Sequence, residues 1–75
     1  MRARQLALHH RTKSKLARLK KDAEREGAFR VAKRLHAVLL NAESYTSGTI
    51  ARILEAPLSK VSEWLRNYEQ YGYGR

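Results

Sequence analysis

Apolar residues recur at helical spacing along most of the chain, and their pattern predicts four helices. The strongest stripe covers residues 28–43, where apolar positions are separated by three or four residues. A weaker stripe covers residues 13–26, after Thr12, which we expect to be the N-cap of the first helix. Gly27 is expected to end that helix, because glycine readily adopts the left-handed conformation needed there.

Two further helices are predicted in the second half of the chain. The hydroxyl-bearing residues in 44–47 interrupt the long stripe and offer caps for a helix that ends near Leu54. Pro57 suits the first turn of a last helix, which we expect to run to about Tyr71 and to stop at Gly72. The positions expected to be buried in these two helices are Ile50, Ala51, Ile53, Leu54, Val61, Trp64, Leu65 and Tyr68. The residues expected to form one common core are Leu35, Leu39, Ile50, Leu54, Val61 and Leu65.

These elements define an all-α fold. We expect a small four-helix domain with a helix-turn-helix at about residues 46–71, a homeodomain-like or paired-domain-like three-helix core, and an additional basic helix on the N-terminal side. A chain of 75 residues has room for a single domain with a modest core. We therefore assign residues 1–11 to a basic N-terminal arm and residues 12–75 to one helical domain.

Positive charge is concentrated in the first half of the chain. The net charge is +9, and residues 1–40 hold twelve lysines and arginines against three acidic residues, whereas the remainder is balanced. Such a balance favours a polyanionic partner, either nucleic acid or an anionic membrane surface. The apolar stripe of the first helix is thin, and no segment approaches the roughly 20 apolar residues of a membrane span. We therefore predict no membrane association.

Signals for catalysis and for bound cofactors are missing from the sequence. There is no cysteine, and the three histidines do not stand at metal-ligand spacing, so we predict neither a disulfide nor a metal site. No nucleophile with its base, no paired carboxylates and no phosphate-cradling glycine loop is present. We expect no enzymatic activity, no cofactor and no small-molecule ligand, and we expect a cytoplasmic location.

Residues 49–65 have the parts of a helix-turn-helix: a short helix, a turn of three or four residues, and a second helix anchored from beneath. Ala51 is small enough to let the two helices approach closely, and Val61 anchors the second helix. The outward residues of that helix are candidates for contacts to DNA base edges, namely Ser59, Lys60, Ser62, Glu63, Arg66 and Asn67. The candidates for phosphate contacts are Lys13, Lys15, Lys20, Lys21, Arg30, Lys33, Arg34, Thr46 and Ser47.

The stretch from Arg34 to Gly74, with the runs RLHAVLLNAE, IARIL and VSEWLRNYEQYG, resembles the N-terminal helix-turn-helix domain of bacterial insertion-sequence transposases of the mariner-related superfamily. In that family this domain binds the terminal inverted repeats of the element. A separate C-terminal domain with three acidic metal ligands makes the parent protein a metal-dependent nuclease and strand transferase. No such acidic set stands in this sequence, so the resemblance implies the DNA-binding part alone.

Two positions depart from the family pattern. Glu55 stands where the turn usually carries glycine, and a left-handed conformation there would cost about 1 kcal/mol. Pro57 stands where a serine usually caps the second helix.

The leading hypothesis is therefore sequence-specific binding of double-stranded DNA by a nucleoid-associated protein. The alternative is a protein-interaction or dimerisation module of a transcriptional regulator, and a homodimer is compatible with either function. RNA binding ranks third, because no platform for stacking single-stranded bases is evident.

Overall fold

The computed structural model describes residues 10–71. This range contains four helices joined by short turns. Helix α1 spans His10–Arg25, α2 spans Phe29–Ala42, α3 spans Ser47–Leu54 and α4 spans Leu58–Tyr71. No strand occurs within this range. The predicted all-α fold of four helices is confirmed.

The chain begins its first helix earlier than the sequence pattern suggests. Helix α1 already includes His10 and Arg11, so Thr12 lies inside the helix and is not its N-cap. The last two residues of the predicted basic arm, His10 and Arg11, belong to this helix, whereas residues 1–9 lie outside the described range. Gly72, which we expected to stop α4, also lies outside it.

Helices α1, α2 and α3 end in the same way, with a left-handed residue after the last turn. Gly27 has φ +80° after α1, Ser44 has φ 82° after α2, and Glu55 has φ 55° after α3. At the first of these ends the N–H of Ala28 donates to the carbonyl of Ala23 at 2.8 Å, and equivalent bonds of 3.1 and 2.9 Å close α2 and α3. This is the Schellman arrangement, which satisfies carbonyls that would otherwise lack partners. Glycine at the first end confirms the prediction, whereas the other two ends force a side chain into a strained conformation.

Helix α2 is the centre of the domain. Helices α1, α3 and α4 each pack against α2, and α3 and α4 pack against each other, while the backbone of α1 approaches that of no other described helix. An ion pair of 3.4 Å between Lys13 and Glu43 ties the start of α1 to the end of α2. Helix α1 and the α3–α4 pair therefore occupy different sides of α2.

The core joins side chains from all four helices. Its buried members are Leu16, Leu35, Ala37, Val38, Ile50, Leu54, Val61 and Leu65. Leu39, predicted as a core residue, is only half-buried at the edge of this cluster, and Ile53, also predicted to be buried, is 46% exposed. Ile53 is exposed because α3 has only eight residues and its packing on α2 and α4 covers the face that carries Ile50 and Leu54.

Asn41 is a buried polar residue that the apolar pattern does not reveal. Its side chain is 1% exposed, and its Nδ2 donates to the carbonyl oxygen of Tyr45 at 3.1 Å. The bond holds the loop between α2 and α3. A buried amide without a hydrogen-bond partner would destabilise the fold, because water does not reach it to replace the lost bond. Asn41 therefore helps to fix where α3 begins.

Candidate nucleic-acid interface

The connection from α3 to α4 has the form of a helix-turn-helix. Thr46 is the N-cap of α3, as its Oγ1 accepts from the N–H of Thr49 at 3.3 Å. Residues 55–57 form the turn, and the carbonyl of Pro57 accepts from the N–H of Val61 at 3.1 Å in the first turn of α4. Glu55 has the left-handed conformation expected from its place in the turn, with φ 55° and ψ 47°. Proline immediately before α4 is compatible with this start, because the nitrogen there needs no helical partner.

Helix α4 turns one face to the core and the other to solvent. Val61 and Leu65 are buried, and Trp64 and Tyr68 are half-buried against the core cluster. The six residues predicted to contact bases are all exposed on the remaining surface, and they are Ser59, Lys60, Ser62, Glu63, Arg66 and Asn67.

Their positions on α4 are not equivalent. At 3.6 residues per turn, Ser59, Glu63 and Arg66 lie opposite the buried face of α4. They therefore form the outermost row of this helix, called the outer row below. Lys60 lies to one side of that row and Ser62 to the other. Gln70 lies on the same outer row, one turn beyond Arg66, and is exposed. The sequence reading missed Gln70, although its spacing of four and seven residues from Arg66 and Glu63 could have identified it.

Lys60 and Glu63 form an exposed ion pair. Their charged atoms are 3.7 Å apart, and both side chains are more than half exposed. Ion pairs of this kind contribute little free energy and exchange easily with water. Both groups therefore remain available to a ligand.

A groove of about 460 Å³ runs beside the start of α4, between that helix, the turn and the first turns of α2. Trp64 forms part of its wall, and three basic residues, Arg30, Lys33 and Lys60, line it together with Glu55. Lys60 stands twenty-seven residues after Lys33 in the sequence. The sequence predicts a base contact for Lys60 and a phosphate contact for Lys33. The structure brings them to one surface.

The start of α2 is rich in uncompensated positive charge. Arg30, Lys33 and Arg34 are exposed, none of them forms an ion pair within residues 10–71, and the helix has no acidic residue in its first turn. Arg30, in the first turn, also lies beside the partial positive charge that the helix dipole places at the N-terminus, and all three cations repel one another. An anionic partner would relieve this repulsion.

The four lysines of α1 do not join this groove. Lys13 is paired with Glu43, and Lys20 is paired with Glu24 at 3.2 Å, so both are partly neutralised and half-buried. Lys15 and Lys21 are exposed and form no ion pair in the described part of the chain, yet α1 lies on another side of α2 from α4. The phosphate contacts predicted from the sequence thus divide into two separate surfaces.

Thr46 and Ser47, at the start of α3, are the two hydroxyl-bearing residues predicted to contact phosphate. The Thr46 hydroxyl is occupied by its capping role and also donates to the Thr49 hydroxyl at 3.0 Å. Ser47, the first residue of α3, is half-buried. A phosphate contact from Thr46 would therefore have to share an oxygen that already accepts from the backbone.

Among the groups of residues 10–71, no cluster of three or more histidine, aspartate and glutamate side chains could hold a metal ion. None of the helices in this range has both the length and the apolar character that a membrane crossing requires. No protein-family model matches the chain, and no curated protein or solved structure is detectably similar to it.

Proposed function

We propose that this chain binds double-stranded DNA in a sequence-specific manner, with α4 in the major groove. The observation that carries the proposal is the exposed polar row on α4 beside the basic groove. A helix that enters the major groove needs base-reading side chains outward, apolar anchors inward and cations at its flank. The exposed polar row, the buried apolar face of α4 and the adjacent basic groove support the proposal on these three points.

Each part of this surface has a distinct role in the proposal. Arg66 can donate two hydrogen bonds to guanine O6 and N7, and Glu63 can accept from cytosine N4. Arg30 and Lys33 contact phosphates on the strand that passes the groove. Lys60 lies between the groove and the outer row of α4, where it can contact either a phosphate or a base edge. Phosphate contacts position a protein on DNA, whereas base contacts select the sequence.

The resemblance of residues 34–74 to transposase helix-turn-helix domains supports a more specific proposal. The DNA site would be the terminal inverted repeat of an insertion element, bound by a nucleoid-associated protein. The chain would then supply recognition, and any DNA cleavage would belong to a domain with its own metal ligands.

Selection from a random duplex pool tests this function. The parent chain should recover a defined motif, and Arg66→Ala should relax the preference at one position, with a loss of about 1–3 kcal/mol for the preferred base. Lys33→Gln is the matched control, because it removes one exposed cation from the groove and not from the outer row. It should weaken binding to all duplexes alike and lower the salt dependence. Recovery of no motif by the parent, or of the same motif by Arg66→Ala, would contradict the proposed readout.

The alternative function, a protein-interaction or dimerisation module, has one observation in its favour. Ile53 and Leu58 flank the turn and are 46% and 53% exposed, and exposed apolar side chains are common at interfaces. Sedimentation equilibrium of the parent and of a variant with both residues changed to serine separates the two functions. A dimer that the double variant abolishes, together with an empty duplex selection, would favour the interaction module.

A further inference from the structure

The outer face of α1 carries a row of cations that the helix-turn-helix does not use. Lys15, Arg18 and Lys21 follow one another at three-residue spacing, so they occupy neighbouring positions on one face of the helix. All three are exposed, and none forms an ion pair within residues 10–71. At a rise of about 1.5 Å per residue the row extends over about 9 Å. Arg18 was not among the residues predicted to contact phosphate.

The neutralised lysines of the same helix make this row distinct. Lys13 and Lys20, at the margins that approach α2, are held by Glu43 and Glu24. Asp22 lies on the same face as the row, four residues after Arg18, and its carboxylate is paired with Arg25 at 3.8 Å. Acidic partners therefore compensate the cations beside the row and leave the row itself uncompensated.

Helix α1, which carries the row, packs on α2 and has no backbone contact with α4. Because α1 and α4 are not in contact, a duplex seated on α4 would have to extend past α2 to reach Lys15 or Lys21. Duplex DNA resists sharp bending over such a short length. A second duplex segment is the simpler occupant of the row.

We propose that the outer face of α1 binds the phosphate backbone of a second duplex segment, so that one domain bridges two pieces of DNA. Three exposed cations on neighbouring positions of one helix can each contact a phosphate, and such contacts release the counterions that surround a duplex. The face around the row holds Ser14 and Ala17, with no aromatic or large apolar side chain to enter a membrane or an apolar groove. The contact is independent of DNA sequence, since it is made to phosphates.

This inference rests on the proposed function of α4, and a capture experiment separates the two. The full chain is bound to an immobilised duplex that carries the selected motif, and retention of a labelled duplex of random sequence is measured. The triple variant Lys15→Gln, Arg18→Gln and Lys21→Gln is compared with a control in which Lys13 and Lys20 are changed to Gln.

The parent should retain the second duplex. The triple variant should retain about tenfold less, and the salt slope of the capture step should fall by about 2.7, because three phosphate contacts are lost. Its affinity for the immobilised duplex and its thermal unfolding should match those of the parent, and the control should capture as the parent does. Arg66→Ala should weaken the first contact without reducing capture per bound molecule.

Several results would overturn the inference. One is that the parent recovers a motif but captures no second duplex. Another is that the triple variant still captures the second duplex, which would indicate that a dimer of the protein bridges the two duplexes. A triple variant with weaker binding to the immobilised duplex would place the row on that same duplex. Loss of binding to phosphatidylserine vesicles with unchanged DNA capture would assign the row to a membrane surface. By contrast, capture of two duplexes without any selected motif would leave the row in place and contradict the proposed role of α4.

Discussion

Glu55 combines two unfavourable features, and its replacement by glycine tests both of them. Its backbone is left-handed, with φ 55° and ψ 47°, because the Schellman end of α3 requires that conformation. A residue with a Cβ pays roughly 1–2 kcal/mol for it. Glycine avoids that strain but loses about 0.4–1 kcal/mol through the greater freedom of the unfolded chain. Glu55→Gly should therefore stabilise the domain by about 0.5–1 kcal/mol, which corresponds to a rise in Tm of about 2–8 °C for a domain of this size.

Thermal unfolding followed by far-ultraviolet circular dichroism measures this effect, with Glu55→Gln as the control. Glutamine retains the Cβ and the length of the side chain and removes only the charge, so its Tm should stay close to that of the parent. Equal stabilisation by the two variants would refute backbone strain as the cause.

The same pair of variants tests the charge of Glu55. Glu55 lines the groove with Arg30, Lys33 and Lys60, and its negative charge repels a phosphate bound there. Both variants should therefore bind duplex DNA more tightly than the parent, and the gain should be larger at low ionic strength. A tighter complex with glycine alone would show that the conformation of the turn controls affinity, and not its charge.

Four further predictions concern stability. Ile50→Ala removes a side chain with no exposed surface and should cost about 2–5 kcal/mol in chemical denaturation, whereas Ile53→Ala, on the open side of α3, should cost less than about 1 kcal/mol. Thr46→Ala removes the cap of α3 and should cost about 0.5–2 kcal/mol, with most of the loss restored by Thr46→Ser. Asn41→Leu leaves the Tyr45 carbonyl without its buried donor and should cost about 1–3 kcal/mol, and unchanged unfolding would show that water replaces the amide. Burial, and next the Lys20 ammonium, hold the pKa of His36 below its ordinary value of 6.5, against the opposing effect of Glu24. The unfolded chain then binds the proton more readily, so the free energy of unfolding should fall as the pH drops below about 6.5, and His36→Gln should remove that part of the pH dependence.

The helix boundaries were predictable wherever local chemistry sets them. Gly27 ends a helix because of its own conformational freedom, and Pro57 cannot continue one. The hydroxyl-bearing residues 44–47 predict a cap for α3, although the sequence alone does not single out Thr46. The start of α1 was not predictable from Thr12, because a threonine inside a helix and one at its cap look alike when good helix formers stand on both sides.

Burial was harder to predict, because it depends on which side of a helix its neighbours cover. Ile53 and Ile50 are equally apolar, yet only Ile50 faces α2 and α4. Asn41 is buried and donates to the carbonyl of Tyr45 four residues later, and the apolar periodicity contains no sign of that bond.

In the candidate site, too, some features follow from local sequence and others from packing between helices. The exposed row on α4 follows from helical spacing once the buried residues of α4 are known. The groove does not, because it depends on long-range packing that brings Arg30 and Lys33 of α2 beside Lys60 of α4. The sequence also does not reveal that Lys13 is paired while Lys15 is not, because the pair depends on Glu43, thirty residues beyond Lys13.

The chain has a single tryptophan, and its place in the wall of the groove gives the molecule a built-in optical reporter. The indole of Trp64 is half-buried against the core on one side and lies beside the proposed phosphate path on the other. Its emission should respond when a duplex covers the groove and should be insensitive to a duplex held on the outer face of α1. Unlabelled titrations can therefore follow the occupancy of one surface in the presence of the other, and stopped-flow fluorescence can resolve the order in which the two are filled.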